Sequence, residues 1–436
     1  MLKRAWQQLF HCNTIAGQQK KFLRSFLKYT CGYFKKLLSL APMSVYTNKS
    51  AVTITCHKRI TPYLEQEVKE LGFEIESSFV TGVKIFAAVN DCIKLNLNLR
   101  CASQVLYSLK QFEANHADVI YENLVSYPWE TILPDPGYFS VTSNVNNPTI
   151  NNSMFANLRV KDAIVDRLRD KRGTRPSTGA ELSGAVIHLF WKNEEAEIFI
   201  DTSGDSLARH GYRKIPGQAP MLEALASAAI YATLWDKRSA FVNPMCGSGT
   251  IAIEAAMIAT NRRPGLFRNN YAFMHLLGYD EKKYQEEDAL LEKQIIDIPG
   301  LRIIATDYSE RAIDNAKKNA VAAGVAKLIE FTVCDFAATL IPDAKGVLFM
   351  NPEYGERLGN IAELETTYAR IGDFMKQRCG GYFGYVFTGN LELAKKIGLK
   401  AKRRIEFYTS TIDCRLLEYE LYSGSKSLPK EKPEQQ

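Results

Sequence analysis

Hydrophobic residues change their spacing several times along this 436-residue chain. Near the start, Phe22, Phe26, Tyr29, Tyr33 and Leu37 recur at helical spacing among Lys20, Lys21, Arg24, Lys28, Lys35 and Lys36. That pattern predicts a basic amphipathic helix. From about residue 50 to 150, short elements of both kinds interleave. Ala51–Cys56 reads as extended, and Pro62–Leu71 as a helix with proline near its start. Gly82–Val89 and Gln104–Phe112 alternate toward strands. Residues 151–172 predict a basic helix, and Ala185–Trp191 with Ala196–Asp201 predict a hairpin across Lys-Asn-Glu-Glu.

After residue 220 the pattern becomes strand–helix alternation. A helix at Met221–Leu234 leads to a strand at Ser239–Asn243, a glycine loop, and a helix at Thr250–Ala259. Strands follow at Arg302–Ala305, Leu328–Val333, Val347–Met350 and Tyr382–Thr388, with helices at Glu310–Ala323 and Leu364–Lys376, and a final pair at Lys402–Tyr408 and Asp413–Leu421. Alternation of this kind predicts a mostly parallel sheet with ligands at the carboxyl ends of its strands. Residues 260–300 break the rhythm as an insertion.

Composition changes this picture little. Apolar residues at 46% and charged residues at 24% fit a folded chain, and no apolar run reaches membrane-span length. The net charge of +7 overstates the basic character. Eight of the 55 Lys and Arg residues sit in residues 1–44, which hold no Asp or Glu, so the remainder is balanced against its 48 acidic residues. Any case for nucleic-acid contact must therefore rest on local clusters. The candidates are Arg159, Lys161, Arg167 and Arg172 on the basic helix, then Arg209 and Arg213 in Arg-His-Gly-Tyr-Arg-Lys. A solvated helix face is the alternative for the first four. Nine dispersed cysteines without a Cys-x-x-Cys pair argue against a disulfide framework or zinc ribbon and for a reducing cytoplasm. No metal and no membrane partner is expected, and a monomer is. Residues 1–44 are expected to be a dispensable basic extension, with a transit peptide, an RNA or membrane arm, and an upstream start as alternatives. Residues 424–436 are expected to be a disordered tail.

Four segments carry candidate chemistry. The first is Phe241-Val-Asn-Pro-Met-Cys-Gly-Ser-Gly-Thr250, a strand running into Gly-x-Gly and a helix. Glycines there let a ligand approach the backbone, which makes Asn243, Pro244, Cys246, Gly247, Gly249 and Thr250 candidates for a cofactor loop. The lysine of a phosphate-loop ATPase is absent, which disfavours ATP hydrolysis. Second and third are Asp307 and Asp335, acids at strand ends suited to ribose hydroxyls and to an adenine amino group. Each alone is as well explained by a helix cap. The fourth is Met350-Asn-Pro-Glu-Tyr354. Here the Asn351 amide oxygen and the Pro352 carbonyl can accept both hydrogens of an exocyclic amine, and Tyr354 offers a face for an unstacked base.

Taken in this order, the segments resemble the THUMP-domain methyltransferases of guanine N2, most closely the first half of the bacterial 23S ribosomal RNA enzyme. Further matching stretches are Val160–Asp166, Asp201–Leu207, Gly211-Tyr-Arg213 and Tyr354-Gly-Glu-Arg-Leu358. The resemblance implies an α/β class: a Rossmann-like seven-stranded methyltransferase sheet over residues 216–423, preceded by an α+β ferredoxin-like and THUMP RNA-binding region over 45–215. It implies S-adenosylmethionine as cofactor and 23S ribosomal RNA as partner. A second methyltransferase domain, fused in some relatives, is not expected here. Three departures stand out: Asn243 replaces the family's Asp, Leu222 a basic residue, and Glu353 a second proline, with proton uptake by Glu353 as a further idea. Transfer RNA as substrate, or a silent RNA-binding or ribosome-assembly role, stays open on these grounds.

Overall fold

The computed structural model describes residues 44–150, 152–216, 220–354, 361–409 and 412–422. The expected amphipathic helix before residue 44 and the expected tail after 423 lie outside the described residues, as do Gly355–Leu358.

The first half forms one sheet. β1 (Ser50–Thr55), α1 (Thr61–Glu70), β2 (Ile75–Phe79), β3 (Gly82–Ala87), α2 (Val89–Asn98) and β4 (Gln104–Glu113) come first. They are followed by α3 (Ala117–Val125), β5 (Tyr138–Asn146), α4 (Ser153–Arg172), β6 (Ser177–Thr178), β7 (Ala185–Lys192) and β8 (Glu195–Asp201). The strands run in the order β2-β3-β1-β4-β8-β7-β5-β6. The antiparallel pairing of β4 with β8 fuses the two segments into a single eight-stranded layer. α4 begins where the Asn152 side chain accepts the Met154 N–H and stops at Gly173, whose φ of 72° ends the helix.

The second half comprises α5 (Glu223–Tyr231), β9 (Ala240–Pro244), α6 (Thr250–Ala259), α7 (Glu281–Lys293), β10 (Ile303–Asp307), α8 (Glu310–Ala322), β11 (Ile329–Val333), β12 (Gly346–Met350), α9 (Ile361–Arg378), β13 (Phe383–Thr388), α10 (Leu391–Lys396), β14 (Arg403–Thr409) and β15 (Ile412–Glu420). Its seven strands order as β11-β10-β9-β12-β13-β15-β14, the first five parallel and the last two an antiparallel hairpin. Both faces of the central strands are buried: Phe241 and Phe349 belong to one core cluster, Val242 and Leu348 to the other. That is why these strands read as near-continuous apolar runs. The helix expected at Met221–Leu234 is shorter because Leu222 is still extended.

The insertion forms the seam between the halves. Gly265 packs so tightly that a Cβ there would lie 2.6 Å from the Leu97 carbonyl oxygen and 2.9 Å from Leu291 Cδ1. The Arg100 guanidinium donates to the Met257 and Arg262 carbonyls at 3.3 and 2.6 Å. His210 is fully buried in the same seam. Its Nδ1 lies 2.8 Å from Glu254 Oε1 and its Nε2 2.9 Å from the Arg100 carbonyl oxygen. A carbonyl only accepts, so Nε2 must carry a proton; with Glu254 ionised, Nδ1 carries one too and the ring is an imidazolium. Burial pulls the His210 pKa down, but the Glu254 charge and the two hydrogen bonds outweigh it, and the net shift is upward. Among the described residues no helix is long and apolar enough to cross a membrane.

Candidate active site

The carboxyl ends of the parallel strands gather the candidate residues on one edge of the sheet. After β9 the chain turns sharply through Met245 (φ 56°), Gly247 (φ 55°) and Gly249 (φ 85°) into α6. The two glycines serve different ends. A Cβ on Gly247 would meet nothing within 4 Å, whereas one on Gly249 would press 2.8 Å from Ala316 Cβ. Gly247 therefore borders open space where a ligand can lie. Gly249, also expected to bind cofactor, permits α8 to approach the loop.

Asp307 ends β10 and is buried. Its Oδ2 accepts the Gly247 N–H at 3.0 Å and its Oδ1 the Ser309 N–H at 3.0 Å. Each carboxylate oxygen keeps a lone pair for a hydroxyl, so the acid can still bridge a ribose. Tyr308, the next residue, is 78% exposed beside this acid, a position that the sequence reading did not single out. Asp335 caps its own turn by accepting the Ala337 N–H at 2.9 Å and pairs with Arg370 at 2.8 Å, both through Oδ1. Partial burial alone would raise its carboxyl, but Arg370 and that amide hold it below the usual range.

At this edge of the catalytic sheet two buried amide oxygens lack partners among the described residues. Asn243 donates from Nδ2 to the Phe349 carbonyl at 2.8 Å, leaving its Oδ1 unpaired inside the protein. Asn351, one strand over at the end of β12, also buries an unpaired Oδ1. A buried acceptor without a donor costs about 1–3 kcal/mol, so both positions call for an incoming N–H. The ammonium of an amino-acid cofactor and the amine of a base supply such donors. Together with Asp307 and the open Gly247 loop, this donor and acceptor set fits S-adenosylmethionine. Cys246 and Pro244 line the turn as buried residues, and burial followed by the Asp307 charge pushes the Cys246 thiol well up, so it stays neutral.

The Asn-Pro-Glu-Tyr turn is fastened from behind. The Tyr368 hydroxyl, fully buried on α9, donates to the Glu353 carbonyl at 3.2 Å and meets Thr388 Oγ1 at 2.8 Å. Pro352 is buried and Glu353 exposed. The Tyr354 ring lies against Gly389, where a Cβ would stand 3.0 Å from its Cδ2 and Cε2. Tyr368, Thr388 and Gly389 escaped the sequence reading because they come from later elements and match no short motif. Asn319 escaped it too. Its side chain donates to the Ser248 and Ile215 carbonyls and accepts the N–H groups of Lys214 and Ile215, binding the inter-domain segment to the glycine loop.

The RNA candidates divide. Arg167 makes a two-pronged pair with Glu130, and Arg172 donates to the carbonyls of Glu130, Leu133 and Pro134. Arg213 is mostly buried, donating to the Met221 carbonyl at 2.6 Å and Thr250 Oγ1 at 2.9 Å, with Glu223 beside it at 3.5 Å. These three guanidinium groups already have partners within the fold. Arg209 is exposed, while Arg159 pairs with Asp118 at 2.7 Å and Lys161 with Asp162 at 3.3 Å near the surface. A phosphate can displace such weak surface partners.

A glycine loop and a ribose-suited acid on neighbouring strands, in a parallel sheet closed by an antiparallel hairpin, define a class I methyltransferase domain. Comparison with known families agrees. Residues 210–418 match the RMKL-like methyltransferase domain, residues 51–106 the RlmL ferredoxin-like domain, and residues 114–201 the THUMP domain. The chain belongs to the THUMP-domain methyltransferases with an RMKL-like catalytic part. It is 35% identical over 382 residues to ribosomal RNA large subunit methyltransferase K/L of Syntrophotalea carbinolica, covering 84% of this chain and 53% of that protein. The chain spans about half the length of the curated relatives it matches. Among solved structures, SMU.472 complexed with S-adenosylhomocysteine is similar at a TM-score of 0.78 and 26% identity, covering 87% of this chain and all (100%) of that one. A Listeria monocytogenes protein described as a predicted N6-adenine-specific DNA methylase is similar at a TM-score of 0.77 and 29% identity, covering 86% of this chain and 97% of that one.

Proposed function

We propose that this chain transfers a methyl group from S-adenosylmethionine to the exocyclic N2 amine of a guanine in large-subunit ribosomal RNA, acting in the cytoplasm. The observation that carries the reading is the unpaired, buried Asn351 Oδ1 beside the glycine loop. S-adenosylmethionine supplies an already activated methyl and departs as a neutral thioether, so positioning provides most of the catalysis. Asn351 Oδ1 and the Pro352 carbonyl accept the two amine hydrogens and turn the nitrogen lone pair out of the base plane. Tyr354 braces the base. As the new N–C bond forms and the methyl–sulfur bond breaks, the nitrogen sheds one proton to water at the exposed Glu353 side. Glu353 in place of proline leaves both acceptors intact, which favours an active enzyme over a silent RNA-binding factor. The THUMP domain and the large-subunit names of the relatives support ribosomal RNA.

An exocyclic amine is also present on adenine, and the Listeria likeness favours testing it. Unmethylated large-subunit RNA, transfer RNA and DNA incubated separately with enzyme and labelled S-adenosylmethionine should differ. We expect label in large-subunit RNA alone, recovered after digestion as N2-methylguanosine. Label recovered as N6-methyladenosine, or in transfer RNA instead, would overturn the assignment of base or substrate.

A further inference from the structure

The loop between β1 and α1 reaches out of the N-terminal half and wraps the free edge of the catalytic sheet. β14 is that edge strand. Tyr63 of α1 stacks on Phe407 with ring centres 5.8 Å apart and planes 14° from parallel. Arg59 adopts a left-handed backbone (φ 71°) and pairs with Glu406, with Asp413 at 3.6 Å. A non-glycine residue keeps that conformation only where its surroundings over-determine it. Next to it, the exposed Lys58 holds its ammonium 4.6 Å over the Tyr408 ring.

This loop lies at the catalytic end of the sheet. Thr388, at the carboxyl end of β13, pairs with Arg415 at the start of β15, and Tyr408 pairs with Asp413. The end of β14 and the start of β15 therefore share an edge with Asn351. From β12 across β13 and β15 to β14 is three strand spacings, about 14 Å. Ile412 and Tyr354 both press on Gly389, so the hairpin packs beside the Asn-Pro-Glu-Tyr turn. The acids here are already answered. Arg415 binds Asp413 at 2.6 Å and stands 3.5 Å from Glu406, which Arg59 also pairs. Among the described residues no carboxylate lies in salt-bridge range of Lys58, although its charge, after those of Arg415 and Arg59, helps hold the Asp413 carboxyl low. An ammonium restrained on an aromatic face and facing solvent at the edge of the sheet that carries Asn351 suits a phosphate.

We propose that this loop is a phosphate grip of the catalytic cleft, in which Lys58 Nζ binds a backbone phosphate of the RNA strand flanking the nucleotide at Asn351. The inference rests on the RNA reading above and assigns the ferredoxin-like segment a direct part in substrate contact. Its test is the Lys58→Glu variant, with Lys58→Gln beside it, on unmethylated large-subunit RNA transcribed in vitro. Salt would be varied from about 50 to 200 mM, the range over which phosphate contacts are most visible. KM for RNA should rise about tenfold at low salt in Lys58→Glu and less in Lys58→Gln. The slope of log KM against log salt should flatten by about 0.7–0.9, the share of one phosphate. S-adenosylhomocysteine affinity should not change. The same slope can be read from equilibrium binding of the transcript with S-adenosylhomocysteine present, which needs no turnover. Unaltered KM, binding and slope in Lys58→Glu would overturn the grip. A product other than N2-methylguanosine would defeat the reading of the base and leave the salt slope to be judged separately.

Discussion

Replacing Asn351 by alanine should lower kcat by about 10²–10³-fold, the scale of removing one preorganised polar group aimed at developing charge. Asn351 Oδ1 is buried and has no partner among the described residues, so its deletion strands no protein donor. The fold should therefore tolerate the change. S-adenosylhomocysteine affinity, read by calorimetry, should change far less than turnover, because the Gly247 loop and Asp307 remain. Loss of cofactor binding with normal turnover at saturation would show that Asn351 serves the cofactor and not the base.

His210→Ala should be the most destabilising of the single changes considered. Its imidazolium and Glu254 are both fully buried, and Glu254 Oε2 accepts the Ser227 hydroxyl at 2.7 Å. Removing one member of a buried ion pair leaves an uncompensated charge and costs about 3–5 kcal/mol. Denaturant titration of the two proteins measures it; equal midpoints would refute the pairing. The pair also sets a pH dependence. The His210 pKa is raised above its ordinary 6.5, so its contribution is complete below that value and fades as pH climbs through the raised one. The Glu254 pKa is lowered from 4.5, because His210 and its hydrogen bonds outweigh the burial that alone would raise it; its contribution is complete above 4.5 and fades only at lower pH. Stability from this pair is thus greatest between about 4.5 and 6.5 and declines above that window. The alanine variant should lack that alkaline decline.

The catalytic half was legible because both faces of its strands are buried. Apolar runs such as Val347–Met350 and the punctuating Gly247 and Gly249 carry the alternation directly. The helix Thr250–Ala259 and the hairpin at β7 and β8 fall where periodicity puts them. α2 was not legible: Val89–Asn98 carries three asparagines, poor helix formers. Burial overrides propensity there, with Asn96 donating to the Cys92 carbonyl and Thr202 Oγ1 at 2.8 Å each. β5 and α3 likewise lack a clear period. Charge was the weakest guide. Nothing in the run around Arg167 and Arg172 reveals that Glu130 and the carbonyls after it, some 40 residues earlier, already claim both side chains. The insertion at 260–300 gave no sign of being the seam because its key contact, Gly265 against Leu97, joins distant positions.

A crystal structure with S-adenosylhomocysteine and an RNA carrying the target nucleotide would test the central geometry most directly. The expected result is a guanine whose N2 lies about 2.7–3.2 Å from both Asn351 Oδ1 and the Pro352 carbonyl oxygen and faces the cofactor sulfur. A base presenting a ring nitrogen to the sulfur, or seated away from Asn351, would contradict the account.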